Sequence, residues 1–301
     1  MDSTKNIDKS FDFTRSDSRM HIVTPSNNSR VGDALIAHAK LKQQDVDRVL
    51  AYQAEKNILF GEAAKQLGLI SEDDLQKVLS EQFNYSYLHE SNQKLSQALT
   101  AAHLPFSVEV ENLRSLRSQL LMRWFDQGNK SLAIASVTKL EGASTLVANL
   151  AIIFSQLNKK TLLIDANLRQ PLQHQLFGIN AKMGLANILA SRQGRYQLSR
   201  QESLPNLAIL TAGTEVPNPQ ELLSQTAFSE LLQDLEKIYE VILIDTSPLE
   251  LGSDVLAVAS KVRAAVIVSR KDVTGTVELQ QLSQQLNTTG AKVIGSILQD
   301  F

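Results

Sequence analysis

In the second half of the chain, short apolar runs alternate with polar loops and with segments of helical spacing. The apolar runs lie at 132–137, 161–165, 241–248, 264–269 and 292–298. Continuous apolar runs are typical of parallel strands that are buried on both faces. Helical patterns at 144–154 and 277–286 lie between them. The alternation predicts an α/β fold with a doubly wound parallel sheet.

A longer helical pattern precedes the first strand, over 108–125. One side of this helix is predicted to carry a leucine stripe, Leu113, Leu116, Leu120 and Leu121. Glu111, Arg114 and Arg117 recur every three residues and therefore lie along another side. On spacing alone, a solvated charged face with weak local ion pairs is the simpler interpretation.

The first third of the chain contains an internal repeat. Residues 30–53 align without gaps on residues 59–82, an offset of 29 residues, so that Gly32 matches Gly61. Each unit has the pattern of a short helix, a turn and a longer helix, and Ser71 is the predicted N-cap of the last one. The repeat predicts a small all-α domain at 30–88.

The segments around this domain have less pattern. Residues 1–29 are polar with little periodicity, which predicts a disordered tail. Residues 83–107 are rich in turn formers, so the domain boundary is expected there, with a linker at 89–107. The second domain is expected to span 108–301.

Composition excludes several classes of function. The 301 residues carry a net charge of −2, which argues against a protein that binds nucleic acid. The chain has no cysteine, so thiol chemistry and zinc–thiolate sites are excluded, and its five histidines lack ligand spacing. The start lacks the apolar segment of a signal peptide, and no run approaches the ~18 apolar residues of a membrane span. A cytoplasmic protein without a transmembrane segment is expected.

The candidate chemistry begins in the loop after the first strand. Strand, polar loop and helix succeed one another over 131–150, the layout of a phosphate-binding loop. The loop residues Leu140, Glu141, Gly142, Ala143, Ser144 and Thr145 stand where such a loop reads x-Glu-Gly-Lys-Ser-Thr. The lysine is replaced by Ala143, and Lys139, four residues earlier, is a weak candidate to replace it.

Two later strands end in carboxylates. Asp165 closes the strand that follows the loop helix, and Asp245 lies in the apolar run at 241–248. The carboxyl ends of parallel strands are where an open α/β sheet binds its ligands. Two acidic residues there, together with the loop, indicate a nucleotide site.

These motifs resemble those of bacterial tyrosine kinases, relatives of the MinD and ParA P-loop NTPases. Residues 163–171, Leu-Ile-Asp-Ala-Asn-Leu-Arg-Gln-Pro, resemble the family's second Walker motif, and residues 244–248 resemble Walker B. Residues 217–223, Pro-Asn-Pro-Gln-Glu-Leu-Leu, are similar to an element that precedes it. Glu111, Arg114 and Arg117 match the Glu-x-x-Arg-x-x-Arg helix through which these kinases pack into rings. The resemblance therefore favours an oligomer interface and a homo-oligomer.

The N-terminal repeat resembles the MshEN domain, which binds cyclic di-GMP. The resemblance implies a cyclic di-GMP site formed by Arg30, Val31, Gly32, Gln53, Phe60, Gly61 and Gln82. Two positions depart from the motif, because Leu59 replaces the second arginine and Ala39 replaces the first turn glycine. A purely structural or docking role is an equal alternative.

The kinase resemblance implies weak binding of ATP and Mg²⁺. It assigns catalytic roles to Asp165, Asn167 and Asp245, and metal ligation to Ser144, Asp165 and Asp245. The nucleotide would contact residues 140–145 and Arg169. Three departures count against kinase activity: Ala143, Asn167 in place of the family's second aspartate, and the lack of any tyrosine after Tyr239, where the family has a tyrosine cluster.

The two domains together are similar to the EpsG-type chain-length-determinant tyrosine kinases of exopolysaccharide operons. This resemblance implies a cytoplasmic, kinase-like regulator of exopolysaccharide chain length and export. It would lie at the inner membrane through a membrane-bound chain-length determinant protein. One alternative is a pseudokinase scaffold that senses cyclic di-GMP. The other is a ParA/MinD-like positioning ATPase, disfavoured because the signature lysine of that family would fall near Thr138.

Overall fold

The structure is a computed structural model. It describes residues 41–71, 95–180, 182–191 and 198–301, with single positions at 33, 35, 36, 74, 75 and 78. The predicted tail at 1–29 lies outside the described residues. The chain divides into two compact units, Met1–Leu79 and Ser80–Phe301.

The described part of the first unit is helical. Helix α1 is Gln43–Lys56 and helix α2 is Phe60–Gln66. Their apolar sides share a small core, formed by Leu35, Val46, Val49, Phe60, Ala63, Ala64, Ile70 and Val78. The predicted N-cap at Ser71 is confirmed, since its hydroxyl accepts the Asp74 amide at 3.1 Å and its own amide donates to the Asp74 carboxylate at 2.9 Å.

The second unit is built on a seven-stranded sheet. Its strands are β1 Ser131–Ser136, β2 Thr161–Ala166, β3 Ser199–Gln201, β4 Leu204–Leu210, β5 Val241–Thr246, β6 Ala264–Arg270 and β7 Lys292–Gln299. Their order in the sheet is β3-β4-β2-β5-β1-β6-β7. Six strands are parallel and β3 pairs antiparallel to β4 at one edge. The predicted α/β fold is confirmed, with this edge strand as the one departure from a fully parallel sheet.

Helices cover both faces of the sheet. The described helices of this unit are α3 Thr100–His103, α4 Val108–Arg123, α5 Ala143–Ser155, α6 Gln173–Leu176, α7 Leu185–Ser191, α8 Pro219–Ser224, α9 Thr226–Glu236, α10 Asp254–Val262 and α11 Thr276–Thr288. The core on one face includes side chains of α3, α4 and α5, and the core on the other includes those of α7 to α11. The central strands are buried throughout because they lie between these layers.

The interpretation of 89–107 as a linker needs correction in its described part. Leu95, Leu99, Ala101 and Ala102 are buried in the core of the second unit. The Asn149 side chain of α5 accepts the Ala101 amide at 2.8 Å, which ties this segment to the helix. These four residues lie in a stretch of only eight, 95–102, which is too short to establish a periodicity, so packing and not pattern makes them part of the domain.

Helix α4 has the two-sided character that its spacing predicts. Leu113 and Leu120 are buried, and Leu116 and Leu121 pack partly buried against the same core. The hydroxyl of Ser107 caps the helix by accepting the Val110 amide at 3.3 Å. Across the described part of the chain, no helix has the length and apolar character needed to cross a membrane.

Candidate functional site

The loop between β1 and α5 forms one wall of a cavity at the carboxyl edge of the sheet. A short 3-10 turn, Lys139–Glu141, leads into Gly142, which has φ of 67° and begins the helix. A side chain at Gly142 would be strained by that left-handed conformation, and its Cβ would lie 2.9 Å from the Phe301 ring. The first turn of α5 lines the cavity, and because the first N–H groups of a helix have no acceptor within the helix, they can bind an anion there.

Glu141 is a scaffold of this loop and does not face the cavity. Its fully buried carboxylate accepts the Val137 amide at 2.7 Å and the Thr274 hydroxyl at 2.5 Å. Burial raises the pKa of the Glu141 carboxyl above its ordinary value. Its carbonyl accepts the Gln299 side chain at 2.5 Å. Glu141, predicted to contact the nucleotide, therefore stabilises the conformation of the loop and does not line the cavity.

Leu140 is likewise not part of the cavity wall. Its side chain is exposed, and its carbonyl accepts Arg270 Nη1 at 3.3 Å. The cavity has a volume of about 440 Å³, and its lining includes Lys139, Gly142, Ala143, Ser144, Thr145, Asn167 and Gln170 but not Leu140 or Glu141. Among these and the other described residues that line it, Lys139 is the one with a positive charge.

The two predicted aspartates meet at the base of the loop. Asp165 and Asp245 are register partners on neighbouring strands β2 and β5, and both are fully buried. The Ser144 hydroxyl donates to Asp245 Oδ1 at 3.1 Å. Burial raises the pKa of Asp245 to about 6. Burial and then the nearby charge of Asp245 raise the pKa of Asp165 well above its ordinary value.

Gln173, which no sequence motif marks, connects these groups. Its backbone amide donates to Asp165 Oδ2 at 3.0 Å, and its side-chain Nε2 donates to Asp245 Oδ2 at 2.7 Å. The same Nε2 also donates to the Ser144 carbonyl, at 3.0 Å. The side chain is fully buried. Its importance follows only from the tertiary position of α6, so the sequence alone offers no signal for it.

Asn167 lines the cavity and orders the loop after β2. Its Oδ1 accepts the Ser247 hydroxyl at 2.9 Å and the Gln170 amide at 3.1 Å. Both contacts would suit an aspartate equally well, since both use an acceptor oxygen. The amide at this position therefore keeps the loop in place while it removes one negative charge.

Arg169, predicted to contact the nucleotide, is engaged elsewhere. Its guanidinium forms a two-pronged pair with buried Asp254, at 2.6 Å and 3.0 Å. Asp254 begins α10, so this pair joins the loop after β2 to that helix. Gly252 gives the guanidinium room, because a Cβ there would lie 2.8 Å from Nη2. Arg169 does not line the cavity.

The donor set suits a hydrated magnesium ion better than it suits a full phosphate clamp. Ser144 lines the cavity, whereas Asp165 and Asp245 are fully buried and are not among its lining residues. Together the three have the hydroxyl and carboxylate oxygens that Mg²⁺ prefers, and Mg²⁺ usually keeps several waters. Backbone N–H groups at 142–145 suit phosphate oxygens. Ala143 is nearly buried and offers no charge to the outer phosphates. The residues present therefore fit Mg²⁺ with a weakly held polyphosphate.

The three predicted interface residues of α4 have partners within the chain. Glu111 pairs with Arg114, and Arg117 Nη1 donates to the Ile153 carbonyl of α5 at 2.9 Å. The Arg114 side chain is 18% exposed and the Glu111 side chain 60%. Glu111 is thus open to a second molecule, and Arg117 also contributes to the packing of α4 on α5.

Three of the seven predicted cyclic di-GMP residues fall on described positions. Gln53 is half-buried on α1, whereas Phe60 and Gly61 are buried. A Cβ at Gly61 would lie 2.5 Å from Leu75 Cδ1, so close packing of Leu75 is one reason for this glycine. The other four, Arg30, Val31, Gly32 and Gln82, lie outside the described residues.

The seven-stranded sheet and the loop between β1 and α5 define a P-loop protein. The family model AAA_31, an AAA domain, matches residues 131–294. The chain is 32% identical over 194 residues to a putative tyrosine-protein kinase CapB of Staphylococcus aureus, an alignment that covers 64% of this chain and 85% of the relative. It is 31% identical to the tyrosine-protein kinase YwqD of Bacillus subtilis, over 68% of this chain and 86% of that one.

A solved structure supports the same relationship. The kinase domain of the Escherichia coli tyrosine kinase ETK superposes with a TM-score of 0.66 at 28% identity, covering 71% of this chain and 82% of that one. The chain belongs to the bacterial tyrosine-protein kinase family of P-loop proteins, within AAA_31.

Proposed function

We propose that the second unit binds a Mg²⁺–nucleoside triphosphate, with ATP as the nucleotide, and transfers its phosphoryl group slowly or not at all. The observation that carries the proposal is the group formed by Ser144, Asp165 and Asp245 beneath a phosphate-type loop in which Ala143 replaces the lysine. The family relationship supports the choice of ATP. The missing charge supports the low activity.

Each residue has a defined task in this proposal. Backbone N–H groups at 142–145 hold the phosphates, with support from the positive end of α5. The Ser144 hydroxyl and the Asp245 carboxylate hold the ion and its waters, and Asp165 orders that shell. Bound Mg²⁺ would neutralise charge on the phosphates.

The substitution at Ala143 sets the expected rate. A lysine there would contact the outer phosphates as charge develops on them, and one such contact contributes roughly 2–4 kcal/mol to transition-state stabilisation. Asn167 removes a second group that could act as a base or as a ligand. We therefore propose an impaired kinase or ATPase.

The biological role we propose is regulation of exopolysaccharide chain length and export. It rests on the tyrosine kinases that this chain resembles and on the EpsG-type resemblance of its two domains. The partner would be a membrane-bound chain-length determinant protein that holds this chain at the cytoplasmic side of the inner membrane. A homo-oligomer assembled through α4 is part of the same proposal.

A second candidate function is a pseudokinase scaffold that senses cyclic di-GMP through an MshEN-type first unit. The observation that favours it is the gapless repeat of residues 30–53 at 59–82. Half-buried Gln53 supports it, and Leu59, 63% exposed in the position of the second arginine, counts against it. A ParA/MinD-like positioning ATPase is a third and weaker candidate.

ATP turnover separates the first two candidates. The full chain is incubated with Mg-ATP, with and without the cytoplasmic segment of a membrane-bound chain-length protein, and phosphate release and phosphotyrosine are measured. The kinase proposal expects slow turnover that the segment stimulates and that Asp245→Ala abolishes. Turnover equal to that of Asp245→Ala under both conditions would show that the chain transfers no phosphoryl group and would favour the scaffold.

A further inference from the structure

Gln173 contacts both buried aspartates and the phosphate loop. Its backbone and side chain reach Asp165 at 3.0 Å, Asp245 at 2.7 Å and the Ser144 carbonyl at 3.0 Å. The side chain is fully buried, so water does not compete for these contacts. It makes a non-local contact between α6 and groups 29 and 72 residues away in the chain.

The hydrogen bonds of Gln173 stabilise two buried carboxylates that have no bonded cation in the described part of the chain. Asp165 and Asp245 lie side by side without a lysine or arginine bonded to either of them among the described residues. Among the described residues, neutral N–H groups and the Ser144 hydroxyl are then the donors that directly support their charge. Gln173 supplies two of these donors from one residue.

The contacts of Gln173 also fix the orientation of the Asp245 carboxylate. Because Gln173 Nε2 holds Asp245 Oδ2, the other oxygen, Oδ1, faces the Ser144 hydroxyl. Nε2 also holds the Ser144 carbonyl, so the first turn of α5 and the carboxylate keep a constant separation. The serine hydroxyl and the carboxylate oxygen are thereby presented together.

One polar atom of the Gln173 side chain has no hydrogen-bond partner among the described residues. Gln173 Oε1 is buried, and no donor within the described part of the chain reaches it. Buried amide oxygens normally accept a hydrogen bond, so this oxygen suits a water molecule held next to Asp245.

We infer that Gln173 is a positioning residue that sets the Asp245 carboxylate and the phosphate loop for Mg²⁺. It does not itself contact the nucleotide, and it acts through Ser144 and Asp245. The role of Mg²⁺ in this inference rests on the proposed function. The hydrogen bonds of Gln173 to Asp165, Asp245 and Ser144 do not depend on any ligand.

The test replaces Gln173 with methionine, which keeps the length and removes every side-chain hydrogen bond. Gln156→Met is the matched control, since Gln156 is also buried and donates to the Ala101 carbonyl away from the site. Both variants of the full chain are titrated with Mg²⁺ at fixed ATP and with ATP in EDTA. Gln173→Met should raise the half-saturating Mg²⁺ concentration about 10-fold or more and leave the affinity for ATP in EDTA within about 2-fold. Gln156→Met should change neither, and an unchanged Mg²⁺ requirement in folded Gln173→Met would overturn the inference.

A second measurement decides the inference if the wild-type chain binds no nucleotide, a result that would contradict the proposed function. Amide hydrogen exchange is followed without any ligand at residues 146–149, whose amides are hydrogen-bonded within α5, beginning with the Leu146 amide that donates to the Gly142 carbonyl. Gln173→Met should speed exchange there about 10-fold or more relative to wild type, and Gln156→Met should not. Equal exchange in all three proteins would mean that Gln173 does not position the loop.

Discussion

At the scale of single residues, the site has the backbone conformation of a phosphate-binding loop but lacks the positive charge of its lysine. Gly142 has the left-handed backbone that such a loop requires, and Ser144 reaches Asp245. The lysine between them is replaced by Ala143, which lines the cavity. Shape and charge can therefore be tested separately.

Ala143→Lys should tighten Mg-ATP binding about 10-fold or more. The new ammonium would reach the outer phosphates from the cavity wall, and tenfold corresponds to about 1.4 kcal/mol, less than one typical charge-assisted contact. Calorimetry on the full chain measures the affinity. Ala143→Met is the control for side-chain size, and equal affinities for the lysine and methionine variants would refute the expected role of charge.

The buried Asp245 predicts a pH-dependent stability. Its folded-state pKa of about 6 lies above the ordinary value of 3.8, so the native state holds more protons than the unfolded state between these values. The free energy of unfolding therefore falls as pH rises from about 4 to about 7. Asp245→Asn removes this cost. The asparagine oxygen can accept from Gln173 Nε2, and its amide can donate to the Ser144 hydroxyl oxygen, which reverses the direction of that hydrogen bond.

Asp245→Asn should accordingly stabilise the protein by about 1–3 kcal/mol at pH 8 and have little effect at pH 4. Urea unfolding at the two pH values measures the difference. Asp126→Asn, at an exposed carboxylate, is the control. A stability change that is the same at both pH values would show that the carboxylate carries no such cost.

The sequence predicts the site residues unequally. Asp165, Ser144 and Asp245 follow from their motifs, because each motif fixes a position at the end of a strand or the start of a helix. Gln173 and Asp254 cannot be predicted that way, since their partners are brought to them by the fold. Arg169 shows the reverse case, a residue that a motif marks and that the structure pairs with Asp254.

At the scale of elements, local pattern predicts the strands that are apolar throughout. The five apolar runs correspond to β1, β2, β5, β6 and β7 within one or two residues at most ends. The pattern does not predict β3 or β4. Pro205 and Asn206 interrupt the apolar residues of β4, and β3, Ser199–Gln201, is polar and lies at the sheet edge.

Helix α4 carries the prediction for assembly. Replacing Arg114 and Arg117 with alanine should shift the protein from oligomer to monomer, because both cations of the proposed interface are lost while the leucines stay. Light scattering measures the mass. Arg123→Ala, on an exposed arginine of the same helix, should leave the oligomer intact.

Arg117 also holds the Ile153 carbonyl, so Arg114→Ala alone is needed to separate assembly from packing. A melting temperature near that of wild type with a smaller mass supports the interface. The same mass in wild type and both variants would mean that α4 is a solvated face.

At the scale of the whole molecule, two units share one chain, and each has its own proposed ligand. The core of the second unit is formed by both faces of a seven-stranded sheet, and the described core of the first unit lies mainly on helices α1 and α2. The division into two units can be predicted from the sequence, because the first part of the chain shows an internal repeat and the second part an alternation of strands and helices. The boundary cannot, since residues 95–103 join the second unit through packing.

Cyclic di-GMP should bind the full chain with micromolar and not nanomolar affinity. The repeat supplies one motif arginine, Arg30, and the second is replaced by Leu59, which removes a charge-assisted contact worth roughly 1.5–3 kcal/mol. Calorimetry with cyclic di-GMP at about 100 µM tests this. No heat would mean that the first unit only docks a partner, and unchanged binding in Arg30→Ala would place the site elsewhere.

The proposed function depends on magnesium-dependent nucleotide binding at the loop between β1 and α5. The most direct measurement is calorimetric titration of the full chain with ATP, once with Mg²⁺ and once with EDTA. The structure predicts weak binding with Mg²⁺ that falls about 10-fold or more in EDTA and in Asp245→Ala, because the ion links the phosphates to Ser144 and Asp245. No binding at millimolar Mg-ATP, or equal affinity in the presence and absence of Mg²⁺, would contradict it.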